Sequence, residues 1–482
     1  MAKILEVLPD PVSLIESMRA IGYTPETALA DLIDNSISAG ATSVNIEYDG
    51  TDEPFVAVLD DGHGMNAEDI TNAMRHGSTN PVEARSAQDL GRFGLGLKTA
   101  SLSQCRRLTV VTKHEGKVHV RCWDLDIVRS EKRWVVLVPD LRECRKLPLY
   151  DALRGQERGT LVVWQHLDRL MSGSLDPATE MTARMANLHK HLSFVFHRYT
   201  RREASSPPVA ITINGLPLKS IDPFLKSNSF TQPLEGQSIS LDGQSIQVLP
   251  YVLPHMSHLT PDEVECAGGD EGLRSSQGFY VYRNRRLVIW GTWFRLVPKE
   301  EFFKLTRVQV DIPNTLDHLW SLDIKKSAAY PPDIIRNRLR ELIPHFAGIS
   351  RKTITFPGRR QKQISGFEPL WDRIEPSPGA FRYEINAGHS VIRSLTDKLD
   401  EPSQKALQHI LDLVAAALPL ESIYSDMCGD RRVDRKDGYA EIGAVVAKIM
   451  EITGFPIKTV VALDPVARFP QHHEQLLKEF TQ

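Results

Sequence analysis

The chain is 482 residues long, 41% hydrophobic and 25% charged, the make-up of a soluble globular protein with room for about three domains. A formal net charge of −3 excludes a bulk electrostatic case for nucleic acid, so any such contact has to come from local patches. No apolar run is long enough to span a bilayer, and the opening Met1-Ala2-Lys3-Ile4-Leu5 has no secretory pattern. The five cysteines (Cys105, Cys122, Cys144, Cys266 and Cys428) show no C-x-x-C spacing, so reduced thiols in a cytoplasmic protein are expected and a zinc site is not.

The first strong element is a helix from Pro25 to Ser38. Ala28, Leu29, Leu32, Ile33 and Ile37 recur at helical spacing, and Thr24 before Pro25 is a natural N-cap. Asp31 and Asn35, four residues apart, project from one face. A carboxylate there can orient and deprotonate a water, and a carboxamide oxygen is a hard ligand for Mg²⁺. An isolated pair of this kind is far more often the mark of a solvated helix face.

A strand follows at Phe55-Val-Ala-Val-Leu59 and stops at Asp60-Asp61-Gly62-His63-Gly64. A carboxylate at the end of a buried strand can accept from an exocyclic amine while glycine backbone passes close to a flat ring. The plainer alternative is a surface turn, and a calcium loop is excluded because its ligand pattern is missing. Next, Gly91, Gly94 and Gly96 lead into a helix opening at Leu97-Lys98-Thr99. Backbone N–H groups before a helix attract anions, and Lys98 and Thr99 sit where side chains can reach phosphate. The spacing is neither the dinucleotide fingerprint nor a Walker loop, and a hinge is the alternative reading. Gly159-Thr160 then opens a further strand through Trp164.

Taken in order, these four segments resemble the ATP-binding domain of the GHKL superfamily, shared by gyrase B subunits, heat-shock chaperones of the ninety-kilodalton class, histidine kinases and MutL. The segments around Asp31–Ala41, Asp60–Met65, Gly91–Lys98 and Gly159–Trp164 look most like the MORC branch and its prokaryotic relatives. The resemblance covers about the first third of the chain. It implies an α+β protein whose residues 1–170 form a Bergerat-type ATP-binding α/β sandwich with ATP and Mg²⁺ as cofactors. Asn35 matches the magnesium ligand and Asp31 the residue that activates water. Asp60 matches the adenine-binding aspartate, Gly62, Gly64 and Met65 the turn below adenine, and Thr160 a residue that holds adenine through water. Gly91, Arg92, Phe93, Gly94, Leu95, Gly96, Leu97, Lys98 and Thr99 match the phosphate segment, with residues 75–90 as the lid. Most hydrolytic members carry Glu where this chain has Asp31. The carboxylate is one methylene shorter, and general-base geometry is exacting at roughly 2.6–3.2 Å or one bridging water, so slow turnover is expected.

Further along, a helix rich in His and Arg is expected from Ala178 to Thr200, and a strand at Val209–Ile213. A hairpin is expected around Asn284-Arg285, then a strand at Thr306–Ile312 and a helix from Pro332 to Leu342. Residues 171–350 resemble the family's transducer domain, of ribosomal S5-like type, whose loop supplies a lysine to the γ-phosphate. Lys325 and Lys326 are the candidates, with Lys325 first by position. Arg351-Lys352 with Arg359–Lys362, and Arg198 with Arg201 and Arg202, are candidate phosphate contacts for DNA or simply solubilising surface. Residues 351–482 read as a mainly helical interaction module for a protein partner, with helices over 406–418 and 439–452.

The function expected from these features is a slow ATPase that dimerises on ATP as a clamp in DNA-related processes, restriction, phage defence or repair among them. The alternative is an ATP-binding scaffold, or a chaperone-like clamp, with little or no hydrolysis.

Overall fold

The computed structural model of the protein describes residues 9–20, 22–75, 96–171, 176–203, 206–255, 258–317, 320, 331–354, 368–377, 380–428 and 438–480. These fall into two compact units, one built up to Phe346 and the other from Ala347 onward, with His255–His258 and Glu300–Leu305 grouped with the second. The architecture is α+β, as expected.

Seven strands form the first sheet: β1 (Ser43–Asp49), β2 (Phe55–Asp60), β3 (Arg107–His114), β4 (Lys117–Asp124), β5 (Gly159–Gln165), β6 (Ala210–Ile213) and β7 (Leu216–Pro217). Their order is β4-β3-β5-β2-β1-β6-β7, antiparallel except for the parallel pair β1–β6. The strand expected at 209–213 therefore lies beside β1 in this sheet. The accompanying helices are α1 (Pro11–Arg19), α2 (Pro25–Ser38), α3 (Ala67–Met74), α4 (Gly96–Leu102), α5 (Leu125–Glu131), α6 (Leu141–Cys144), α7 (Tyr150–Gly155), α8 (Pro177–Val195) and α9 (His197–Thr200).

Strand alternation sends Val56, Val58, Val162 and Trp164 to one face, where they meet Leu29 and Ile33 of α2 and Leu188 and Leu192 of α8. Ala57, Leu59, Leu161 and Val163 point the other way, onto Cys144, Tyr150 and Leu153. Both faces of β2 and β5 are thus covered, which is why they read as unbroken apolar runs rather than alternating ones. Helix α2 starts as its sequence dictates. Thr24 accepts from the Thr27 N–H, Thr27 Oγ1 accepts in return from the Thr24 N–H, and Pro25 takes the first turn. Leu29, Leu32 and Ile33 are at most 2% exposed, and burying each contributes about 1.5–3 kcal/mol.

The second sheet of this unit comprises β8 (Gln232–Pro233), β9 (Gln237–Leu241), β10 (Gln244–Val252), β11 (Gly278–Arg283), β12 (Arg286–Thr292) and β13 (Thr306–Ile312). They are arranged β12-β11-β13-β10-β8, with β9 also on β10. The expected hairpin is β11–β12, closed by Asn284 at φ +46° and Arg285 at φ +69°. Two consecutive left-handed residues match the twist of a two-residue hairpin. Arginine is a costly occupant there; its guanidinium is retained by Glu203 at 3.1 Å and by the Tyr199 ring at 4.7 Å. Helices α10 (Pro261–Gly268), α11 (Gly272–Ser275) and α12 (Asp333–Ile354) complete the set, the last covering the helix expected at 332–342.

In the second unit, β14 (Trp371–Ser377) and β15 (Ala380–Ile385) pair as a hairpin. The rest is helical: α13 (Ser390–Thr396), α14 (Glu401–Ala416), α15 (Leu420–Cys428), α16 (Tyr439–Thr453), α17 (Ile457–Val460) and α18 (Pro470–Glu479). Ile442, Val446 and Ile449 of α16 pack with Ile457, Val460, Leu463, Val466 and Leu476. Among the described residues no helix is long and apolar enough to cross a membrane.

Candidate functional site

Helix α2 carries four polar residues over 31–36, of which Ser36 reaches the point where β2 ends and β5 begins. Asp31 is 7% exposed and Asp34 1%, Ser36 is buried, and Asn35 is exposed. Tyr23 Oη donates to Asp31 Oδ2 at 3.0 Å. A Cβ placed on Gly96 would lie 3.4 Å from the same oxygen, so the first residue of α4 comes close over the carboxylate.

Asp60 ends β2 directly opposite Thr160 in the β2–β5 register. Its Oδ1 accepts from the Gly62 N–H at 3.0 Å and the Thr160 N–H at 3.2 Å, and its Oδ2 accepts from Ser36 Oγ at 2.8 Å. Burial pushes the carboxyl above its ordinary value, against these three bonds. One further lone pair on Oδ2 remains for an outside donor. Thr112, opposite Thr160 on β3, ties the segments together. Its hydroxyl donates to the Gly159 carbonyl at 3.1 Å, lies 3.2 Å from Thr160 Oγ1, and accepts from the Met65 N–H at 2.9 Å.

The glycines here are demanded by close approach. Gly64 has φ +67°, and a Cβ on it would fall 2.1 Å from the Lys113 carbonyl oxygen. Gly159 has φ +148°, with the Asp60 carbonyl oxygen 2.2 Å from where a Cβ would be. Asp61, in contrast, is a strut. Burial raises its carboxyl, but bonds from the Thr42 hydroxyl and the Ser43 and Thr42 N–H groups outweigh that and hold it below the usual range.

On α4, Thr99 Oγ1 is buried and makes no hydrogen bond. Lys98 is 2% exposed, its Nζ donating to the Ala73 carbonyl at 2.9 Å, and burial lowers its amine to about 8. Arg19 fixes the far end of this helix, with Nε donating to the Leu102 carbonyl at 2.6 Å and Nη2 bridging both oxygens of Asp168.

The family of histidine kinase-, DNA gyrase B- and HSP90-like ATPases matches residues 23–160, the stretch that carries Tyr23, Asp31, Asp60, Lys98, Thr112 and Thr160 but not Arg19 or Asp168. Residues 23–160 thus carry a domain of GHKL type. It is 28% identical over 109 residues to the DNA mismatch repair protein MutL of Bradyrhizobium diazoefficiens, covering 22% of this chain and 18% of that one. It is 36% identical over 93 residues to the ATPase morc-1 of Caenorhabditis elegans, covering 19% and 10%. A MutL of Neisseria meningitidis is 32% identical over 119 residues, covering 24% and 18%. The matched regions span less than a fifth of these relatives' length.

The GHKL domain brings together Asp31, Asp60, Gly62, Gly64, Met65, Gly96 and Thr160, with Lys98 and Thr99 on the adjoining helix. Gly91, Arg92, Phe93, Gly94 and Leu95, the lid beyond Arg75, and Lys325 and Lys326 lie outside the described residues. Sequence reasoning passed over Tyr23, Ser36 and Thr112. Thr112 stands out only once the β3–β5 register sets it against Thr160. The candidate DNA contact Arg198 is committed elsewhere, donating to Glu203 Oε1 at 2.8 Å, pairing with Asp311 and lying 4.9 Å over the Tyr282 ring. Arg201 pairs with Asp222 at 3.4 Å.

The donor set fits ATP and Mg²⁺. A buried acceptor with a free lone pair suits an amine, the glycine cradle suits a flat ring, and an unpartnered buried hydroxyl and an exposed carboxamide suit phosphate and a hard cation. Lys98 gives this fit a measurable sign. Phosphate nearby raises the amine from about 8, so binding at pH 8.5 takes up protons. Calorimetry of ATP binding in buffers of different ionisation heat is expected to show uptake of up to about three quarters of a proton, lost in Lys98→Met. Equal uptake in the variant would assign the proton elsewhere.

Proposed function

We propose that this chain binds Mg-ATP in its GHKL domain and hydrolyses it slowly, working as a nucleotide-gated dimeric clamp in DNA-related processes of the restriction, defence or repair type. The observation that carries the reading is Asp31, a buried carboxylate on α2 set close beneath Gly96, where the phosphate segment enters α4. Asp60 and Thr160 would hold the base, with Gly62 and Gly64 beneath it, and Asn35 the magnesium ion. Thr99 and the backbone around Gly96 would hold the phosphates. Bound magnesium would supply charge neutralisation at the phosphates. Asp31 would orient a water and take its proton.

Only ATP offers a γ-phosphate to Lys325 or Lys326, which is the differential interaction needed to favour a closed, dimeric state. One charge-assisted hydrogen bond is worth about 1.5–3 kcal/mol, enough to move a two-state balance more than tenfold. Light scattering of the protein with a non-hydrolysable ATP analogue is expected to give twice the mass found with ADP or no nucleotide. Lys325→Ala should weaken that dimer. One mass in all three conditions would reject nucleotide gating.

The second reading is an ATP-binding scaffold, chaperone-like or otherwise, with little turnover. It is favoured by the short Asp31 side chain, whose Oδ2 already accepts from Tyr23. Phosphate release measured with and without DNA separates the two.

A further inference from the structure

Resting on the nucleotide reading above, we propose that the buried Asp34–Arg286 ion pair is the joint between the nucleotide helix and the second sheet. Arg286 then acts as a positioning residue for Asp31 and Asn35. The pair spans 252 positions of sequence. Arg286 Nε lies 3.2 Å from Asp34 Oδ1, and the two side chains are 8% and 1% exposed. The guanidinium stacks 4.3 Å over the Phe196 ring, and its Nη1 donates to the Leu287 carbonyl at 2.6 Å. Planarity and a stacked face restrict it to one direction of approach.

Position makes this pair more than a weld. Asp34 follows Asp31 by one helical turn and immediately precedes Asn35, so any pull on it turns or slides both neighbours. Arg286 opens β12 directly after the turn of the β11–β12 hairpin. Across that hairpin Arg283 grips Asp317 with two contacts of 2.8 Å from Nε and one of 2.6 Å from Nη2. Asp317 begins the stretch of chain that leads to Lys325. One hairpin therefore holds the helix bearing the water-side groups at one strand and the end of the Asn314–Leu316 turn at the other. Its turn is clamped in turn by Arg285 on Glu203 and Tyr199. A hairpin held by one buried and one half-buried ion pair transmits displacement rather than absorbing it.

A buried charge left alone by a single substitution endangers the fold, whereas replacing both partners with apolar residues is commonly tolerated. The test is hydrogen exchange on the full chain, wild type against the Asp34→Leu/Arg286→Met double variant, without nucleotide, with Mg-ADP and with a non-hydrolysable Mg-ATP analogue. In the wild type the analogue is expected to slow exchange in both α2 and the β11–β12 hairpin by about 5- to 150-fold, the usual range of coupling. In the double variant, at nucleotide concentrations that saturate it, the analogue is expected to slow exchange in α2 but not in the hairpin. Equal hairpin protection in the two proteins would overturn the joint. Should nucleotide protect neither segment in the wild type, the ATP reading fails and the joint is decided by ligand-free exchange. There the double variant supports it by exchanging faster in α2 and the hairpin together, and overturns it by exchanging as the wild type does.

Discussion

Replacing Asp31 by asparagine is expected to leave nucleotide binding within a fewfold and to lower ATP turnover by about 10²-fold or more, the range of general-base effects. Asparagine has the same shape and can keep an oxygen toward Tyr23 Oη, now 3.0 Å from Asp31 Oδ2. It also preserves the fit beneath Gly96, 3.4 Å away at the nearest Cβ position. What it lacks is a basic oxygen for the proton of an attacking water. Asp31→Glu, which adds the missing methylene, is expected to raise the rate. Phosphate release under single-turnover conditions reads both variants, and unchanged turnover in Asp31→Asn would put the base elsewhere.

Asp60→Asn is expected to weaken ATP binding by about 10- to 10³-fold, from one or two lost hydrogen bonds at about 1–3 kcal/mol each. The carboxylate accepts from three donors, Ser36 Oγ, Gly62 N–H and Thr160 N–H, across both oxygens. A carboxamide offers one oxygen and one NH₂, so a donor must face either Ser36 or the backbone pair. The position left for a purine amine then meets a donor instead of an acceptor. Titration calorimetry measures the loss, and thermal melting separates it from unfolding. Wild-type affinity in a folded Asp60→Asn protein would remove this aspartate from base recognition.

What could be read in advance was what is written locally. The Thr24 cap, the periodic apolar residues of α2, the runs that became β2 and β5, and the Asn284-Arg285 turn all depend on neighbours in sequence. The candidate site was legible because four segments of glycines and carboxylates fall in one order, although each alone reads as a turn, a hinge or a solvated helix face. The supports were not. Ser36 looks like any polar helix residue until β2 places Asp60 against it, and Thr112 matters only through its register with Thr160. Asp34 and Arg286 have nothing in their surroundings that announces a partner 252 residues away. Arg198 was offered as a surface cation because Glu203 and Asp311 reach it only in the folded chain.

The central claim, that the GHKL domain holds Mg-ATP through groups on α2 and β2, is tested most directly by titrating ATP into the full chain in magnesium. The same titration is repeated in EDTA and with Asn35→Ala. Asn35 is exposed on α2, one turn from Asp31, so its substitution threatens no core. The account predicts one ATP per chain in magnesium, with affinity lost in EDTA and in Asn35→Ala alike. Absence of binding to the wild type, or wild-type affinity in Asn35→Ala, would contradict it.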